Sequence, residues 1–229
     1  MKFSENEWKK LLEIIVDEEA GVETMVVKNN YDLKDVKAFE DIGKAAAEKA
    51  ANFVQEMSGD CVEVKIFKIE LNSAQDLMNM VSSPENSVFT KIDFNGDIAG
   101  TGVLIFSEES AKSMADSMLL GMGMEGDSNE TFCEMRVSAI NETCNLLISA
   151  FVDTIANFMN TSLNMTPPEF STGQLSNLVE YELKNHEIGP KDTLFTFNSE
   201  LFSKGIGSGF NVFIVMDPES TDKLFEKLN

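Results

Sequence analysis

The segment Val103-Leu104-Ile105-Phe106-Ser107-Glu108-Glu109-Ser110 returns 110 positions later as Phe213-Ile214-Val215-Met216-Asp217-Pro218-Glu219-Ser220. In each copy an apolar strand runs into an acidic helix start and then a short amphipathic helix, ending at Ser117-Met118 or at Lys227-Leu228. A glycine-containing hairpin precedes each copy, around Asn95-Gly96 and around Lys204-Gly205, where glycine supplies the positive φ of a tight turn. Farther upstream each half has a long helical pattern, Asp32 to Met57 in the first and Glu134 to Thr161 in the second. The period is too long, and two copies are too few, for a solenoid. A duplicated α/β half domain is what remains: an α+β fold with a largely antiparallel sheet and two long helices. The expected pseudo-repeats are residues 31–125 and 126–229, hinged at Gly126-Asp127-Ser128-Asn129, and residues 1–30 form a separate amphipathic helix and linker.

The remaining elements follow from periodicity and breakers. Glu5 to Asp17 reads as a helix with Trp8, Leu11, Leu12 and Ile15 on one face, either a tether or a docked cap. Glu63 to Leu71 is a strand and Ala74 to Val81 a short helix. Val88 to Phe94 and Thr101 to Phe106 form a hairpin, and Ala111 to Met122 is a helix with a Met-rich end. After the Pro167-Pro168 break come a helix over Gln174 to Lys184, strands over Leu194 to Glu200 and Phe210 to Met216, and a last helix over Thr221 to Leu228.

Composition excludes several classes. With 18 Lys and Arg against 39 Asp and Glu, the net charge of −21 repels a phosphate backbone, so nucleic acid is not expected as a partner. A lysine-bearing protein partner fits the charge, as does simple solubility. No stretch reaches the ~18–20 apolar residues of a membrane helix, and the start lacks the marks of a signal peptide, so the expected location is the cytoplasm. Three cysteines, Cys61, Cys133 and Cys144, without CxxC spacing and with the single histidine His186, support neither a disulfide framework nor a zinc site. They read as small buried residues. Cys144 lacks the surroundings that would activate a nucleophile.

The functional signal lies on the second long helix. Ser138, Glu142 and Asn145 stand at i, i+4 and i+7, one polar stripe on a helix of 3.6 residues per turn. Pro168 follows Asn145 by 23 positions, with Pro167 before it. A chain of this length matches the pattern [DS]-x3-E-x2-N-x22-P by chance with probability on the order of 10⁻³ to 10⁻². Glu and Asn on a helix are most often a solvated face. Yet asparagine is a mediocre helix former, and Asn141, Asn145, Asn157 and Asn160 all fall in this segment.

With these residues and the duplicated frame, the chain from Asp32 to Leu228 resembles the CheC/CheX/FliY family, phosphatases of the phosphorylated chemotaxis response regulator CheY. The resemblance implies that Asn145 fixes a water for in-line attack on an aspartyl phosphate, while Glu142 pairs with a lysine of the regulator. It makes Ser138 and Pro168 auxiliary, Ser138 bonding to Glu142 or the partner and Pro168 shaping the edge of the site. No cofactor is implied in this chain, because the Mg²⁺ belongs to the response-regulator substrate. In the first half, Asp41-Ile42-Gly43-Lys44-Ala45-Ala46-Ala47 resembles the family's Asn-Ile-Gly-Ala-Gly-Asn-Ala, but Asp41, Ala38, Lys34 and Val64 occupy the four motif places and none matches. A carboxylate at 41 lacks the donor of an amide and repels phosphate. Gly43 and Ala45 to Ala47 read as close-packing residues. One working site is therefore expected, on the second helix.

Two other classes remain open. One is a non-catalytic adaptor for the regulator or for a CheD-type receptor deamidase, with Met114, Met118, Met122 and Met124 as a pliable surface or, more in keeping with such residues, gap-filling core. The other is a flagellar-switch component like FliY, against which stands the expectation that FliY-like chains carry a further C-terminal domain after the second repeat.

Overall fold

A computed structural model describes residues 33–59, 61–124, 130–204 and 207–227. The expected hinge at Gly126-Asp127-Ser128-Asn129, the turn glycine Gly205 and the amphipathic segment from Glu5 to Asp17 lie outside those residues. In chain order the elements are α1 (Leu33–Ser58), β1 (Val62–Ser73), α2 (Ala74–Met80), β2 (Ser87–Asn95), β3 (Gly100–Phe106) and α3 (Glu108–Gly121). They are followed by α4 (Glu134–Met159), β4 (Asn164–Met165), β5 (Glu169–Gly173), α5 (Leu175–Asn185), β6 (Thr193–Ser203), β7 (Ser208–Met216) and α6 (Pro218–Glu226). Long helix, strand, short helix, hairpin and helix thus occur twice in the same order.

The strands form one sheet in the order β1-β6-β7-β3-β2-β4, with β5 also on β2. Every pairing is antiparallel. β1 pairs with the second hairpin and β5 with the first, so each set of elements completes the sheet of the other. The fold is α+β, as the alternation of helices and hairpins predicts.

Local sequence explains the repeated strand-to-helix corner. Ser107 has extended dihedrals and accepts the Ser110 N–H through its hydroxyl at 3.1 Å; Asp217 does the same for Ser220 at 2.6 Å. Acidic residues in each first turn suit the positive end of the helix. The caps start α3 and α6 three residues earlier than apolar periodicity predicts, at Glu108 and Pro218, and Pro218 fits a first turn whose N–H has no intrahelical partner. At its far end α4 stops on Asn160, left-handed at φ 55° and ψ 47°. That asparagine is a helix stop, so local backbone preference accounts for it.

The sheet carries its main core on one face, where strand alternation directs Val212, Ile214 and Met216 toward α1, α3, α4 and α6. Phe213 and Val215 point the opposite way, to a smaller cluster under α2 and α5. Phe39 of α1 stacks edge-on against Phe158 of α4 at 6.0 Å, and Lys49 meets Asp153 at 3.5 Å, so the two long helices run antiparallel. Gly43, Ala46 and Ala47 are buried where α1 is pressed inward, in keeping with close packing, but Ala45 is exposed. Of the methionines, Met114 and Met118 fill the core while Met122 and Met124 are exposed.

Two expectations need correction. Cys144 is buried, but Cys61 is exposed and Cys133 half-buried, so burial does not account for all three. β4, just before Pro167-Pro168, and β5, just after them, are strands that sequence reading misses. Glu169-Phe170-Ser171-Thr172-Gly173 is short and largely polar, and becomes a strand only by adding to the free edge of β2.

Candidate functional site

Seating of α4 on the sheet decides what its outer face presents. Ile140, Cys144, Leu147, Ile148 and Phe151 are buried at 0–1 % exposure, which turns the stripe of Ser138, Glu142 and Asn145 outward. Ile148 rests on Gly102 of β3, where an added Cβ would come within 2.7 Å of its side chain. Strand and helix therefore approach at a distance only glycine allows. At the N-terminal end Arg136 is buried, donates to Asp116 of α3 at 2.7 Å and also holds the carbonyl of Glu130 at 2.7 Å. α4 is thus fixed at its first turn and along its length.

Ser138, Glu142, Asn145 and Pro168 line one shallow, open groove of about 400 Å³ together with Glu134, Val137 and Asn141. The structure therefore brings all four sequence-derived site residues together. Ser138 and Glu142 are exposed, and Asn145 and Pro168 half-buried. Pro167 is exposed and does not line the groove. Among the described residues no side-chain partner satisfies Ser138, Glu142 or Asn145. This is notable for a serine, since Thr143, Ser149 and Thr154 of the same helix all donate back to carbonyls four residues earlier. Ser149 donates to the Asn145 carbonyl, so the backbone of Asn145 is engaged while its amide is left to solvent.

Three lining residues go beyond the motif. Glu134 and Val137 belong to the same helical face, and the i, i+3, i+4 spacing would have revealed them. The same spacing places Asn141 on that face; only its contact with the sheet, in which its carbonyl accepts the hydroxyl of Thr90 in β2 at 3.4 Å, needs the tertiary structure. Cys144 is no part of the groove: it is fully buried, its thiol points at the Thr90 carbonyl at 3.4 Å, and burial pushes it up to about 12, so a thiolate is not accessible near neutral pH. His186 is exposed on the far side of the sheet, 3.7 Å from Glu182.

Chemically, the groove offers a carboxamide that both donates and accepts, and two carboxylates, Glu134 and Glu142. It has no cationic side chain among its lining residues. Such a surface attracts an ammonium group and repels a bare phosphate.

A sequence family described as "Chemotaxis phosphatase CheX" matches residues 88–187, from β2 through α4 to the end of α5. The protein named "Putative CheY-P phosphatase CheC1" of Halobacterium salinarum is 22% identical over 191 residues, covering 82% of this chain and 93% of that one. Among solved structures, FliY of Thermotoga maritima superposes with a TM-score of 0.64 at 15% identity, over 87% of this chain and 98% of that one. A chain of the FliG–FliM complex from H. pylori gives 0.59 at 15% identity, over 85% and 99%. Over most of its length the chain is therefore similar to a protein of the CheC type, its middle part matches the CheX family, and it shares its fold with FliY and FliM. Among the described residues no helix is long and apolar enough to cross a membrane.

Proposed function

We propose that the protein is a phosphatase that removes the aspartyl phosphate of a CheY-like response regulator. The observation that carries this reading is the unpartnered Glu142–Asn145 pair, one turn apart on a fixed helix and open to a protein-sized approach. On docking, the groove meets the regulator's phosphorylated pocket. Glu142 pairs with the regulator's lysine, and the Asn145 amide accepts from a water while donating toward the phosphoryl group, which holds that water in line for attack. Mg²⁺ bound by the substrate neutralises charge on the phosphoryl oxygens. The chain itself supplies position rather than a strong base. Each tenfold in rate asks for ~1.4 kcal/mol of barrier lowering, so an oriented water can account for about a hundredfold. Ser138 and Pro168 bound the groove and limit how the partner enters it.

Electrostatics supports a protein substrate. A free phosphoester meets Glu134, Glu142 and a chain of net charge −21, whereas a regulator brings its phosphate already paired with cations. The test is phosphate release from acyl-phosphorylated CheY with and without the protein at matched Mg²⁺. Acceleration that disappears in Asn145→Ala supports the reading, and no acceleration by the wild type refutes it. The absence of a strong base and of any cationic side chain from the groove lining favours a second reading, a non-catalytic adaptor for the regulator or a CheD-type deamidase. That reading predicts binding without turnover.

A further inference from the structure

The geometry points to Thr90, a strand residue outside the motif, as a positioning residue that sets the roll of α4 and the width of the groove. The inference rests on the phosphatase reading of that groove.

Thr90 is fully buried in the middle of β2. A buried hydroxyl needs a partner, and this one donates to Asn141 Oδ1 at 3.4 Å. The Thr90 carbonyl in turn receives the Cys144 thiol at 3.4 Å. A single residue of the sheet therefore engages α4 at two points, three positions apart, and these two points bracket Glu142 and adjoin Asn145. Apolar packing seats α4 on the sheet, and these two hydrogen bonds, being directional, add a restraint on its roll. With Asn141 and Cys144 held against the strand, the helical spacing leaves 138, 142 and 145 facing out.

The same residue reaches the opposite wall. Thr90 stands across from Phe170 in the β2–β5 register, two positions beyond Pro168. Helix and proline are thus placed from one point. With side chains α4 has a radius of about 5–6 Å, so a roll of about 10° carries a tip by about 1 Å. A displacement of about 1 Å can cost about a hundredfold where a water must lie in line.

Thr90→Val keeps the shape and removes the hydroxyl. In phosphate release from acyl-phosphorylated regulator, the expected result is a fall in kcat of about tenfold with KM within about twofold and an unchanged melting temperature, the mark of lost positioning. Thr90→Ser should restore kcat. In an Asn141→Ala background, Thr90→Val should add almost nothing, since both act through one contact. Unchanged kcat in Thr90→Val, failure of serine to rescue, or full additivity overturns the inference. If the wild type releases no phosphate, the phosphatase reading fails separately. The inference is then read from the side-chain amide signals of Asn141 and Asn145 in ¹⁵N-labelled protein. Thr90→Val should move both signals and Thr90→Ser neither; an unmoved Asn145 signal overturns it.

Discussion

α1 and α4 are both 26 residues long, hold matching places in the recurring element order and pack against one another, yet their outer faces differ. On α4 the outward stripe and Pro168 enclose a groove. On α1 the outward residues include Asp41, Lys44, Ala45 and Glu48, a solvated face, and Val64, at the place corresponding to Pro168, packs partly against the core. The inward faces are alike in purpose: Phe39, Ala46, Ala47 and Ala50 on one, Ile140, Leu147, Ile148 and Phe151 on the other, all buried. Packing constrains the inner stripe of both helices, so it survives in both. The outer stripe answers only to a partner, and we assign that partner to α4.

Charge reversal should break this contrast most severely. Glu142→Lys puts a cation where the regulator's lysine is to dock, and kcat/KM for the phosphorylated regulator is expected to fall about a hundredfold in steady-state phosphate release. An unaffected value would remove Glu142 from the interface. Gly102→Val acts from beneath: the added carbon collides with Ile148, and urea unfolding should show a loss of about 1–3 kcal/mol, with turnover reduced as α4 lifts.

Lys91→Met probes the far face of the neighbouring strand, β2. Lys91 pairs with Glu182 at 2.8 Å and Asp93 at 3.2 Å, and Glu182 Oε2 is already buried without a hydrogen bond. The variant should cost about 2 kcal/mol, read by urea unfolding, because a carboxylate loses its cation. Burial disfavours the Lys91 ammonium, but the hydrogen bonds to Glu182 and Asp93 outweigh that and raise its pKa. A raised lysine stabilises the fold fully below its ordinary range and loses that contribution as pH rises through the raised value, so the wild type's advantage over Lys91→Met should fade at strongly alkaline pH. The smallest effect belongs to α1: Asp41→Ala should leave turnover within about twofold, since a solvated carboxylate far from the groove takes no part. A larger loss there would make the two helices functional equals.

Much of this was legible in the chain. The 110-residue recurrence, the two hairpins and the alternation in β2, β3, β6 and β7 come from local rules, and the i, i+4, i+7 stripe supplies three of the seven residues that line the groove. What escaped depends on distant neighbours. β5 is polar and becomes a strand only because β2 has an open edge. The Thr90–Asn141 contact spans 51 residues, and although Asn141 stands out as a helical asparagine, nothing in the sequence pairs it with Thr90. Cys61 looks like a small core residue by type, yet it sits exposed just before β1, where composition has no voice.

The most direct measurement compares Asn145→Ala with Asp41→Ala in one assay of phosphate release from acyl-phosphorylated CheY, after circular dichroism has shown both variants folded. The account predicts that Asn145→Ala falls to the regulator's own rate while Asp41→Ala matches the wild type. Full activity in Asn145→Ala, or loss only in Asp41→Ala, would contradict it.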